Sequence, residues 1–133
     1  MKPSLTEGLS HISTLVIDEA RTISYMGEDC RVYSTPNIIR DVEMSCRNLL
    51  LEHLDPGEDS VGTGINWEHV GPALLGARAT IAVKITRVDG RRASFDASVS
   101  SGGDDVARGT HERFVVDIQK MRERLLKKRA AQG

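Results

Sequence analysis

Apolar residues recur along this chain with two different periods, and the change of period divides it. Between Thr35 and Leu54 the positions Ile38, Ile39, Val42, Cys46, Leu49, Leu50 and Leu54 return every three or four residues, the spacing that builds one stripe on an α-helix. Thr35-Pro36 predicts the start, with Thr35 as capping hydroxyl and Pro36 at the first helical position. Asp55-Pro56-Gly57 predicts the stop, giving a helix of about five turns. From Arg78 to Val88 the period is two: Ala79, Ile81, Val83 and Ile85 share a face, with Arg78, Thr80, Lys84 and Thr86 among the residues opposite. Asp89-Gly90 is expected to turn this strand, with positive backbone angles, into one that places Ala93, Phe95, Ala97 and Val99 together. Gly102-Gly103-Asp104 turns again into a last strand over Val106–Ile118.

Ahead of the helix, His11–Ile23 carries Ile12, Leu15, Val16, Ile17 and Ile23 among threonines, which predicts one extended, partly buried strand. Gly27-Glu28-Asp29 breaks it. The order strand, long helix, strand meander implies an α+β fold with one helix on an antiparallel sheet. From Lys120 the chain is basic around a short Met121, Leu125, Leu126 stripe, which predicts a solvated terminal helix. The expected division is a domain over 1–120 and a basic tail over 121–133.

Size and charge narrow the classes. With 133 residues the chain fits one domain with its own core. Its 18 Lys and Arg against 19 Asp and Glu give a net charge of −1, with no basic block before residue 117, so nucleic acid is not the expected partner of the domain body. Cys30 and Cys46 form no CxxC pair, which argues against a zinc site or disulfide framework and fits a reducing cytoplasm. The start has no apolar run, and no stretch of about 18 uncharged apolar residues occurs, so neither secretion nor membrane spanning is expected.

Glu43 is the most informative residue on spacing alone. It falls within the helix's apolar arc, between Leu50 and Leu54, and so directs a carboxylate towards the core. Such a group is either neutralised, here by Arg40 or Arg47, or held for function. His53 projects from the same arc, but a histidine in a last turn ordinarily caps carbonyls. The Gly57–Thr63 stretch has the glycines of a phosphate loop without its lysine, and it follows a helix rather than preceding one, which rules out that reading. Gly62 and Gly64 permit close backbone approach, or merely a bulge in a strand that ends near His69. Together Thr35, Glu43, Gly62 and His69 supply a hydroxyl, a carboxylate, a bare amide and an imidazole, the equipment of acyl transfer or hydrolysis. There is no Gly-x-Ser-x-Gly elbow, and His11, His53, His69 and His111 lack metal-ligand spacing, so neither a metal nor another cofactor is expected.

The joint spacing of Thr35, Glu43, Gly62 and His69, with Asp55–Thr63, His69–Gly76, Val88–Arg92 and Gly109-Thr110-His111-Glu112-Arg113, resembles hot-dog fold thioesterases, most closely the fluoroacetyl-CoA thioesterase-like branch. The likeness runs from His11 to Lys120. It implies a sheet wrapped around the long helix, a homodimer or higher oligomer, and an acyl-CoA substrate bound at the protomer interface, with coenzyme A entering only as part of the substrate. It also implies Thr35, Glu43 and His69 as the catalytic group, the Gly62 amide at the carbonyl oxygen and Arg113 as support. A CoA thioester needs cations for its phosphates, for which Arg78, Arg91 and Arg92 are the candidates. The chain departs from the fluoroacetyl-specific pattern over Tyr25–Cys30, which has no phenylalanine. The competing readings are a non-hydrolytic acyl-thioester-binding protein of this fold and an enoyl-thioester hydratase.

Overall fold

The computed structural model describes all 133 residues. Five strands make one antiparallel sheet in the order β1-β5-β6-β7-β4: β1 (Ser10–Val16), β4 (Glu58–His69), β5 (Arg78–Asp89), β6 (Arg92–Ser101) and β7 (Asp104–Asp117). A small ribbon of β2 (Thr22–Ile23) and β3 (Val32–Tyr33) leads into α1 (Thr35–Leu51), and α2 (Ile118–Gln132) closes the chain. The α+β sheet-and-helix fold is the one the resemblance implies.

The inner face of the sheet carries Ala79, Ile81, Val83 and Ile85 on β5 and Ala93, Phe95, Ala97 and Val99 on β6, all buried. Ile38, Val42, Cys46, Leu49 and Leu50 of α1 close on them, none more than 2% exposed. Burying each of the larger side chains favours folding by roughly 1.5–3 kcal/mol, which outweighs the modest intrinsic propensities along the helix. β4 is the strand that α1 packs against most extensively.

The long strand expected over His11–Ile23 is interrupted. It ends at Val16, a 3-10 turn capped by the Asp18 carboxylate occupies Glu19–Arg21, and β2 follows. Within β1 the odd positions His11, Ser13 and Leu15 face inward while Ile12 and Val16 stand exposed. The apolar count was therefore a poor guide to which face is buried, because Ser13 meets Ser45 of α1 through their hydroxyls at 3.3 Å.

Three local corrections concern turns and caps. The N-cap of α1 is Ser34, in extended conformation with its Oγ accepting from the Asn37 amide, so Thr35 is already helical and its hydroxyl is released from capping. The helix ends at Leu51, ahead of the Asp55-Pro56-Gly57 stop, and His53 lies beyond it with Nδ1 2.8 Å from Ser4 Oγ rather than capping carbonyls. The β5–β6 turn is Gly90-Arg91, flanked by the Asp89–Arg92 pair. Only Gly90 takes a positive φ, 58°, as a two-residue loop with glycine first requires.

β4 holds the feature that shapes the site. Ser60 pairs with Val115 and Gly62 with Arg113, but the register shifts at Thr63, after which Ile65 pairs with His111, Trp67 with Gly109 and His69 with Ala107. Paired residues share a face, so even positions before this bulge and odd positions after it look towards α1.

The basic tail forms α2, capped by Asp117, with no buried residue. No helix is long and apolar enough to cross a membrane.

Candidate active site

The first cluster lies where β4 passes the middle of α1. Glu43 is half-buried and has no ion pair, because Arg47 is held by Asp59 through two bonds of 2.9 and 2.7 Å and Arg40 is exposed. Gly62 faces it across the gap. A β-carbon at Gly62 would stand 3.5 Å from Glu43 Oε1, 3.6 Å from an Arg113 terminal nitrogen and 3.2 Å from His111 Cε1. Glycine thus keeps open the space into which the carboxylate, the guanidinium and the imidazole all converge.

Arg113 is 5% exposed and firmly held: Nε donates to Ser60 Oγ at 2.7 Å, one terminal nitrogen to the Ser60 carbonyl at 2.8 Å and the other to His111 Nε2 at 3.2 Å. Burial lowers its pKa from the ordinary arginine value, and the Glu43 charge acts in the opposite sense. His111 is buried too, with Nδ1 2.8 Å from the Gly64 carbonyl; burial draws its pKa below 6.5, and neighbouring Arg113 adds to the effect. The Cys46 thiol borders the same cluster and burial pushes it up to about 12, which makes it a poor nucleophile.

The second cluster lies at the start of α1, where Thr35 Oγ1 is 2.7 Å from His69 Nδ1 and both residues are exposed. A polar network around the buried Tyr33 fixes this end of the helix. Tyr33 donates to Asp41, and Arg21 Nε reaches the same carboxylate at 2.9 Å while pairing with Asp18 at 2.8 Å. Burial and the Asp41 charge raise the Tyr33 pKa. Sequence reasoning missed this network, whose members are 20 and 8 residues apart in the chain.

Thr35 and Glu43 are separated by two turns of helix, about 12 Å along its axis. Within one chain the four expected residues therefore form two pairs, Glu43 with Gly62 and Thr35 with His69. Both pairs border β4, an edge strand whose far side has no partner strand.

The three candidate CoA arginines are dispersed. Arg78 begins β5, whereas Arg91 and Arg92 lie beyond its opposite end. Arg91 pairs with Glu58 at 3.6 Å, and Arg92 meets Glu112 and sits 5.9 Å from the Phe114 ring centre. The largest surface hollow, about 430 Å³, is on the outer face of the sheet among Asn66, Glu68, Asp96 and Arg108, away from Glu43. No three His, Cys, Asp or Glu side chains are grouped to hold a metal ion. Over Tyr25–Cys30, Tyr25 and Met26 are exposed and Glu28 is paired to Arg31 at 2.9 Å.

Comparison with known proteins bears on these clusters. The family described as fluoroacetyl-CoA-specific thioesterase matches residues 17–119. A fluoroacetyl-CoA thioesterase of Streptantibioticus cattleyicolor is 28% identical over 98% of this chain and 99% of its own length. A crystal structure of a point mutant of the fluoroacetyl-CoA-specific thioesterase FlK superposes with TM-score 0.86 at 27% identity, covering 96% of this chain and 99% of that one. A thioesterase superfamily member from Thermus thermophilus shares the fold, with TM-score 0.86 at 23% identity and coverage of 98% and 99%.

Proposed function

Since the chain belongs to the fluoroacetyl-CoA-specific thioesterase family, a family of thioester hydrolases, we propose that it hydrolyses an acyl-CoA to the free acid and coenzyme A, with Glu43 as the reacting carboxylate. The observation that carries this reading is the convergence of Glu43, Gly62 and Arg113 on one open space. A half-buried carboxylate with no ion pair keeps its oxygens available, either to activate water or to attack the thioester carbon and form an anhydride that water then cleaves. The Gly62 amide is suited to the carbonyl oxygen, where negative charge develops. Arg113, fixed on three sides, offsets the carboxylate's burial without neutralising it through a direct pair.

His69, oriented by Thr35, suits the departing sulfur, and a thiolate needs only modest assistance. In our reading the two pairs meet across a homodimer. β4 is a twelve-residue edge strand with Val61 and Ile65 exposed, and an open edge of that kind favours pairing. A two-fold axis at Asn66 sets that residue opposite its own copy and, with Thr63 bulged, Gly62 of one strand opposite the partner's His69, so each thioester would lie between Glu43 of one protomer and the partner's His69. Residues 1–120 form the catalytic unit in this reading, and α2 beyond its first turn lies outside it. Cytoplasmic residence fits the unpaired cysteines.

For the acyl group we infer something other than fluoroacetyl, since Tyr25–Cys30 offers exposed Tyr25 and Met26 and no phenylalanine. Arg91 and Arg92 remain the cations placed together for CoA phosphates, with Arg78 too far along β5 to join them.

Release of free thiol from short, branched and aryl acetyl-CoA thioesters is the test. Stoichiometric CoA release that disappears in Glu43→Gln is the expected result. Binding without release would instead indicate an acyl-thioester-binding protein, and hydration of an enoyl-CoA with the thioester intact would indicate a hydratase.

A further inference from the structure

Resting on the thioesterase reading, we propose that His111 is a positioning residue whose neutral ring clamps the β4 bulge to Arg113 and so holds Gly62 and the guanidinium beside Glu43. Its two nitrogens face groups of opposite character. Nδ1 is 2.8 Å from the Gly64 carbonyl, which can only accept, so Nδ1 carries the proton. Nε2 is 3.2 Å from an Arg113 nitrogen, which can only donate, so Nε2 is bare. The ring is 3% exposed, lies 6.3 Å from the Phe95 ring at 30° and comes closest of all to the open space at Gly62. One side chain from β7 thus joins the residue just past the bulge to the cation before it.

A second proton on this ring has nowhere to go. It would occupy Nε2, remove the acceptor that Arg113 uses and set two cations face to face. The charged and titratable groups around the ring are Arg113 and Glu112 of β7 and Glu43 of α1. Cys46 of α1 acts on Arg113 nearby, with a neutral thiol. β6 presents Phe95 and β4 a carbonyl. The hydrogen bond to Gly64, and after it Glu43 and Glu112, favour the protonated ring, while its burial and Arg113 oppose it more strongly. The clamp therefore holds at neutral pH and releases as the pH falls below the ordinary histidine range.

Two substitutions and one spectrum test this. His111→Gln offers an amide N–H to Gly64 and an oxygen to Arg113 but does not titrate. It should keep kcat within about threefold at pH 7.5 and lose less activity than the wild type on going to pH 5.5. His111→Phe keeps the bulk and the Phe95 contact but has no acceptor, and should lower kcat at least tenfold with little change in KM. In the wild type, the ring 15N shifts of His111 should show Nδ1–H with bare Nε2 and a titration midpoint below 6.5. A ring with Nε2 protonated at neutral pH, or equal kcat and pH profiles for the Gln and Phe variants, would overturn the proposal. If the wild type proved inactive on every thioester, the thioesterase reading would fall. The clamp would then be decided by the ring shifts and by whether Arg113→Gln alters them.

Discussion

Thr35 Oγ1 lies 2.7 Å from His69 Nδ1, a bond between the first turn of α1 and the last residue of β4 across 34 positions of sequence. Two residues that act through one bond are not additive. Thr35→Ala and His69→Ala should each lower kcat/KM about ten- to a hundredfold, and the double variant should be no worse than the more damaging single one. Independent, multiplying losses in a thiol-release assay would mean that the pair does not act as a unit.

Glu43→Gln removes a carboxylate that has no ion pair to lose. We expect kcat to fall by at least about a hundredfold while stability shifts by less than about 1 kcal/mol, since relief of carboxylate desolvation and loss of the attraction to Arg113 oppose each other. Calorimetry beside initial rates checks both. A variant that melts early yet turns over normally would reduce Glu43 to a structural residue.

The dimeric arrangement makes a complementation prediction. Glu43→Gln and His69→Ala homodimers should both be nearly inactive, but unfolding and refolding them together should restore activity, because mixed dimers contain one site with both native residues. Up to about a quarter of wild-type activity is expected from random pairing. If both residues serve a site within one protomer, mixing restores nothing.

The Arg47–Asp59 pair ties α1 to β4 through two bonds. Arg47 lowers the Asp59 pKa from its ordinary 3.8, so the pair's contribution is present above that value and is lost as the pH falls through the lower folded value. Both side chains are partly exposed, which limits the pair to about 1 kcal/mol. Asp59→Asn should therefore lower Tm by a few degrees at pH 7, and the difference from wild type should shrink steadily below pH 3.8.

The two thiols should react unequally. Cys30 is exposed whereas Cys46 is buried with its pKa pushed up to about 12. Titration with an aromatic disulfide should show one fast equivalent per chain in the native state and a second only on unfolding. Rapid modification of both would contradict the packing around Cys46.

The legible parts of this molecule were those where periodicity and burial coincide. The helix stripe from Ile38 to Leu50, the β5 and β6 inner faces and the turns at Gly90 and Gly102 were read nearly as they stand, because apolar burial is what selects them. His11–Ile23 misled for the same reason: Ile12 and Val16 are apolar but exposed. On the site side, Glu43 announced itself by breaking the stripe, Gly62 by the close backbone approach a glycine permits, and Arg113 entered through family resemblance. His111 carried a usable signal that went unread. It occupies an inward position of β7 in phase with Arg113 and Val115, where a polar residue is anomalous. The Arg21–Asp41–Tyr33 network had no such signal, since it depends on how β2 and β3 fold back over α1.

The extra residue at Thr63 acts like a shift of reading frame in the pleat. Gly62 and His69 are an odd number of positions apart, so in a regular strand they would face opposite sides of the sheet; the bulge restores their common phase. Loss of one residue at the bulge would therefore leave a regular ladder with β7 and keep Gly62 and His69 on one face, whereas loss of a second would turn His69 away from Thr35. Substitutions in this stretch are thus cheaper than most length changes, and relatives that keep the chemistry should lose the residue at Thr63 and the bulge together or keep both.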